Sequence, residues 1–212
     1  VLQEVPGLVD EARDLLEDGL VRARCLGLWP KVTFALCELG WLEVDHGRAE
    51  RAVERLTEAV RLAARQGTPV LQQTAETGLA VLERRRGDLP RAAARLERWL
   101  VWNRQRGWAA GEARVLVERG RLEEARGRVD AALADHQRAR ELAAEVGDRP
   151  LEARAQEGVA WSRFAAGDRE GAGVHLADAA RLRVEAFATP TPEDQRRIDE
   201  LTSLLASPRR PG

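Results

Sequence analysis

Methionine is absent from this 212-residue chain, position 1 included, Lys31 is the only lysine, and aromatic residues make up 4% of it. Serine occurs only at Ser162, Ser203 and Ser207, and none lies in a Gly-x-Ser-x-Gly elbow of the kind that exposes a nucleophile. No glycine is followed by lysine, so a phosphate-cradling P-loop is excluded. The three histidines, His46, His136 and His175, are scattered, with no Cys, Asp or Glu beside them at metal-ligand spacing. Together these gaps argue against an enzyme, a metal site or a bound cofactor. His136 reads as a core histidine with its hydrogen bonds satisfied.

Long apolar runs are missing too. None approaches the roughly 20 residues needed to span a bilayer, and no signal peptide is present. The expected setting is cytoplasmic, away from the membrane. The 34 basic and 35 acidic residues leave a net charge of −1. A duplex-binding surface draws its affinity largely from neutralised phosphates and normally shows a basic excess, so direct nucleic acid binding is not expected. Cys25 and Cys37 match no paired-ligand spacing and read as free thiols packed as small apolar groups.

What the chain has in abundance is Ala, Leu, Val and Arg, with 33% charged residues. Such side chains lose little freedom in a helix, which points to an all-α protein. Glycines fall at Gly7, Gly47, Gly87, Gly127 and Gly167, and a second series, Gly27, Gly67, Gly107 and Gly147, lies twenty residues out of phase. A small residue follows each first-series glycine by five: Ala12, Ala52, Ala92, Ala132 and Ala172. Four further on comes Leu16, Leu56, Leu96, His136 or Leu176, which puts both positions on one helical face. Glycine of the second series suits a left-handed helix end. Pro30, Pro69 and Pro150 suit the first turn of the next helix.

The spacing predicts a 40-residue unit of two helices. Second helices are expected over 8–26, 48–66, 88–106, 128–146 and 168–187, and first helices over 30–45, 69–86, 108–126 and 150–166. One such pair cannot bury its apolar stripe alone, whereas stacked neighbours can. The repeat array is expected over 1–190. The absent methionine and the half-unit at the start lead to the expectation of a truncated first unit and a piece of a longer protein. Thr191-Pro192-Glu193-Asp194 has the capping-box form. It opens an expected capping helix over 191–206, with a flexible tail over 207–212.

Gly47, Ala52, Leu56 and Ala59, preceded by Leu39-Gly40, resemble the tetratricopeptide repeat. Gly120 recurs at the place of Gly40, and alanine stands there in Ala80 and Ala160. The departures are Gly19 and Trp99 where the family prefers alanine, Glu43 where it prefers an aromatic residue, and His136 at an apolar core position. The period of 40 exceeds the family's usual length. In that it is similar to the arrays of bacterial MalT-like, LuxR-type and AfsR-like transcriptional regulators. The resemblance implies a right-handed α-solenoid of antiparallel helix pairs. It also implies a non-catalytic interaction module, read as the regulatory or sensor region of a larger regulator. A free-standing adaptor and an accessory scaffold of an enzyme complex are the alternatives.

In the family, the first helices line a concave groove where ligands lie. Carried over, that face comprises Phe34, Cys37, Trp41, Val44, Arg84, Arg114, Arg121, Arg154, Trp161 and Phe164. Aromatic anchors and forked guanidinium donors of this kind suit an acidic peptide with an apolar anchor. The expected partner is a protein or peptide, or a sister domain of the same polypeptide, with a small-molecule effector also open. Trp99, Trp102 and Trp108 are expected to fill a wide gap between repeats, with Trp99 in the core.

Overall fold

Eight glycines on the 20-residue grid, from Gly27 to Gly167, adopt positive φ. Each marks the turn between two helices, where a side chain would be strained. In a computed structural model that describes residues 8–207, ten helices follow one another, with no strand among the described residues. The second helices of the units are α1 (Leu8–Cys25), α3 (Ala49–Gln66), α5 (Leu89–Arg106), α7 (Val129–Glu145) and α9 (Arg169–Glu185). The first helices are α2 (Trp29–Asp45), α4 (Pro69–Arg85), α6 (Ala109–Ala125) and α8 (Arg149–Ala165), and α10 (Pro192–Ala206) closes the series. Gly7 and residues 208–212 of the expected tail lie outside the described residues.

Local chemistry sets the helix starts. Pro30, Pro69 and Pro150 occupy the first turns of α2, α4 and α8, where a missing N–H costs nothing. The Asp148 carboxylate accepts from the Leu151 N–H at 3.1 Å, and Asp168 accepts from the Gly171 N–H at 2.8 Å. Thr191 does the same for the Asp194 N–H at 3.2 Å, opening α10 as the capping-box pattern predicts.

The chain divides into two compact units, residues 1–95 and 96–212, with the division inside α5. In the first, α2 packs on α1 and α3, α3 on α4, and α2 on α4. Its centre is Leu56, fully buried, with its branched end between Gly40 and Gly78, where a Cβ on either glycine would collide with it. Small residues there let the first helices approach the second closely. Glu43, where the family prefers an aromatic residue, is buried and pairs with Arg48 at 3.3 Å.

In the second unit, α6 packs on α7, α7 on α8, α8 on α9, and α6 on α8. Its central slot, walled by Gly120 and Gly158, holds the ring of His136. That ring is wholly buried; its Nε2 lies 3.1 Å from a Glu124 carboxylate oxygen while its Nδ1 has no hydrogen-bond partner. The histidine is a core residue as expected, but it is satisfied at one nitrogen only. Ala52, Ala92, Ala132 and Ala172 are fully buried, as their spacing predicts. Ala12 is exposed instead, because among the described residues α1 has a first helix, α2, on one side only.

Candidate protein-interaction surface

The outward faces of the first helices carry the residues that the resemblance assigns to ligand binding. In the first unit they separate into surface and core. Phe34 is 52% exposed. Trp41 is half-buried, donates from its indole Nε1 to the Thr74 carbonyl at 3.1 Å, and thereby ties α2 to α4. Cys37 and Val44 are fully buried and leave the candidate surface. The Cys37 thiol points at the Leu71 carbonyl, 3.5 Å away, and burial pushes its pKa up to about 12, so it stays protonated and unreactive. The Val44 carbonyl accepts from Arg85. Arg84 is half-buried. The reason for the correction is geometric: a helix packed on two neighbours buries more than half of its circumference. Cys25 departs from expectation in the other direction, being exposed at the end of α1.

In the second unit the same faces are charged and covered in part. Arg114 is exposed and meets Asp148 at 3.2 Å. Arg121 of α6 is only 4% exposed, because Asp194 of α10, itself 1% exposed, is hydrogen-bonded to its guanidinium. Arg154 of α8 donates to Glu118 at 2.7 Å, and its Nε lies 3.4 Å from the other Asp194 oxygen. Arg183 of α9 donates to Glu157 at 2.7 Å and stands 3.8 Å from that same oxygen. Three arginines thus face three carboxylates, and one of the three belongs to α10.

The protonation states follow from this packing. Burial alone would raise the Asp194 carboxyl. The charges of Arg121 and Arg154 overcome burial and hold it well below the ordinary carboxylate range. Glu157 moves the other way, with burial raising it despite the Arg183 bond. Burial also opposes ionisation of Glu124, but the bond to His136 and the charge of Arg197 hold it down at about 2.

Trp161 and Phe164 meet edge to face, with centroids 6.5 Å apart. The Arg197 guanidinium of α10 lies 5.0 Å from the Trp161 ring centre and donates to Glu124 at 2.8 Å. Arg169 lies over Phe164 and donates to the carbonyls of Leu204, Leu205 and Ser207, binding the far end of α10. Arg121, Arg154 and Trp161 are therefore brought together as one surface, and α10 rests on it. The site residues that sequence reading missed are Arg183, Asp194 and Arg197. A signal for Arg183 stood in the sequence, because Ala23, Ala63, Asn103 and Ala143, all uncharged, hold its place in the other repeats.

Trp99 is buried, as expected, and packs edge to face with Trp102 at 5.6 Å. Trp102 meets Trp108 in the same way at 6.0 Å and carries Arg106 above its ring at 4.4 Å. Among the described residues no group of acidic, histidine or cysteine side chains is arranged to hold a metal ion. No described helix is long and apolar enough to cross a membrane.

No family model matches the sequence, and no curated protein matches it either. Solved structures do. BtubC (BKLC) from P. vanneervenii superposes with a TM-score of 0.64 at 16% identity, covering 97% of this chain and 96% of that one. A kinesin light chain-like protein from Podosopora anserina with nearly identical TPR-like repeats gives, as a point variant, 0.57 at 22% identity, covering 85% and 89%. The same protein without that substitution gives 0.55 at 21%, with the same coverage. The fold is TPR-like: all-α, built of antiparallel helix pairs.

Proposed function

We propose that this chain is a non-catalytic protein-interaction module that grips acidic helical or extended segments on the outward faces of its first helices. The observation that carries the reading is the second unit's hold on α10. There a TPR-like face already binds a helix through Arg121, Arg154 and Trp161. Arginine and tryptophan are the side chains that dominate binding energy at protein interfaces. The finer reading, drawn from the repeat length, makes the module the regulatory or sensor region of a larger bacterial transcriptional regulator, acting in the cytoplasm.

The test uses two exposed residues, so that folding is spared. Phe34→Ala and Arg114→Ala are introduced together, and the chain and its variant are used as bait in lysate of the source cell. Loss of a partner that the parent captures, with unfolding curves unchanged, supports the module. Identical capture by both overturns the assignment of these faces, one in each unit. A change in reporter transcription on introducing the same pair into the cell supports the regulatory reading. Capture of an enzyme with transcription unchanged favours an accessory scaffold instead.

A further inference from the structure

The repeat grid places α10 where another first helix is due. Pro190 stands at the place of Pro30 and Pro150, and Phe187 at the place of Gly27, Gly67, Gly107 and Gly147. Yet α10 does not stack as those helices do. Its backbone touches α8 and α9 only lightly, and its side chains reach back as far as α6. Arg183, where the earlier repeats carry uncharged Ala23, Ala63, Asn103 and Ala143, adds a third guanidinium to the surface it covers.

We propose that this face of the second unit is a docking site for an acidic helix of a partner protein, and that α10 is a resident occupant which such a helix displaces. The charge count supports it. Around Asp194 the repeats supply Arg121, Arg154 and Arg183 but only Glu118 and Glu157 to oppose them, while Glu124 beside Trp161 takes Arg197. The face thus calls for a carboxylate at one place on its ligand and a cation at another. Asp194 fills the first of these roles incompletely. One of its oxygens bonds Arg121, while the other stands 3.4 Å from Arg154 and 3.8 Å from Arg183 in charge contact only.

The apolar hold on α10 is small as well. Leu201 alone of its large side chains is fully buried, with Ile198 and Leu205 half-buried and Leu204 exposed. A helix with a fuller apolar stripe gains more area on the same seat. The bonds from Arg169 go to backbone carbonyls, which any helix end presents.

The occupant also gives the recognition pattern. Asp194 meets the arginines, Arg197 meets Glu124 and Trp161, and Leu201 fills the apolar seat. Those positions, three and then four residues apart, share one helical face. The partner is thus a helix with an acidic residue in its first turn, a basic residue three further on and leucine four beyond that.

This inference rests on the reading of these faces as protein-binding, and the experiment separates the two. A fluorescein-labelled peptide of residues 189–206 is titrated by anisotropy into the full chain and into its Asp194→Asn variant. In the parent the tethered α10 competes at an effective concentration in the millimolar range. The variant should therefore bind the peptide at least tenfold more tightly. Asp194→Asn in the peptide, or Arg121→Gln added to the variant, should remove that binding. A cooperatively folded Asp194→Asn chain that binds the peptide no better than the parent overturns the proposal and makes α10 a fixed part of the unit. If Asp194→Asn unfolds the chain, Arg197→Gln replaces it with the same expectations. Failure here alongside successful capture through Phe34 and Arg114 sinks the exchange and leaves the interaction module standing.

Discussion

Equivalent positions in the two units lie 80 residues apart, and they solve the same packing problem with different chemistry. The glycine-walled slot holds Leu56 in the first unit and His136 in the second. Leucine needs nothing from its surroundings beyond the removal of water. Histidine needs a polar partner, and Glu124 supplies it from the position that Val44 holds in the first unit. Glu124 then needs a cation, which arrives as Arg197 on α10. The face follows the same rule. Phe34, Trp41, Thr74 and Thr77 in one unit are Arg114, Arg121, Arg154 and Glu157 in the other. A charged face buried against the repeats must be neutralised, so the second unit recruits a helix for which the first has no equivalent among its described residues.

Exchanging the slot residues is the sharpest way to break that comparison. Leu56→His puts a ring where Val44 offers no acceptor, and should cost about 2–5 kcal/mol, the range for losing a large core side chain, with the unpaired ring nitrogen adding to it. Urea unfolding measures the loss. A loss below that range would mean the two slots do not discriminate between an apolar and a polar filling.

Acid should separate the units next. Both Glu124 and Asp194 ionise more readily in the folded chain than unfolded. Groups with depressed values stabilise the fold above their unfolded pKa and lose that contribution as pH falls through the folded one. For Glu124 the window runs from 4.5 down to about 2, and its full contribution is on the order of 3 kcal/mol. Around Asp194 stand Arg121, Arg154, Arg183, Glu118 and Glu157. Hydrogen exchange at pH 5 and pH 2.5, corrected for intrinsic rates, should show α10 losing protection while α4 keeps it. Equal loss in both helices would remove the charge-based account of α10 docking.

His136→Leu should do much less than its counterpart. Leucine fits the same glycine-walled space, and Glu124 keeps Arg197, so the change is expected to stay under about 1.5 kcal/mol. A larger loss would show that the ring's bond to Glu124 holds the unit together, and that its role is more than filling the slot.

The fold was legible in the sequence because glycine punctuation and small-to-large spacing are local features. The nine helices of the repeat pairs lie within two residues of the spans those spacings predict. The surface was legible only in part. Helical spacing places Cys37 and Val44 on the same first-helix face as Phe34 and Trp41, and it does not say how far the neighbouring helices wrap around that face. Nor does spacing show a contact such as Arg121 with Asp194, made across 73 residues of chain. The capping box announced α10, and nothing local to it announced where the helix would lie. Arg183, in a column that otherwise holds Ala23, Ala63, Asn103 and Ala143, was one sequence signal that this end of the chain differs, beside His136 in the slot.

Phe187 gives the smallest and most local test. It keeps the backbone of the glycines whose column it shares, with φ of 51°, although it carries a large side chain. Left-handed backbone costs an L-residue roughly 1–2 kcal/mol. Glycine would relieve that strain but would free the unfolded chain by roughly 0.4–1 kcal/mol. The ring is 94% exposed, so its removal forfeits almost no burial. Phe187→Gly should therefore stabilise the chain by about 0.5–1 kcal/mol, a rise in melting temperature of about 1–4 °C for a protein of this size. A fall in melting temperature would mean that the ring makes contacts holding the turn before α10. The strained turn would then belong to the docking of α10 and could not be counted as a cost carried beside it.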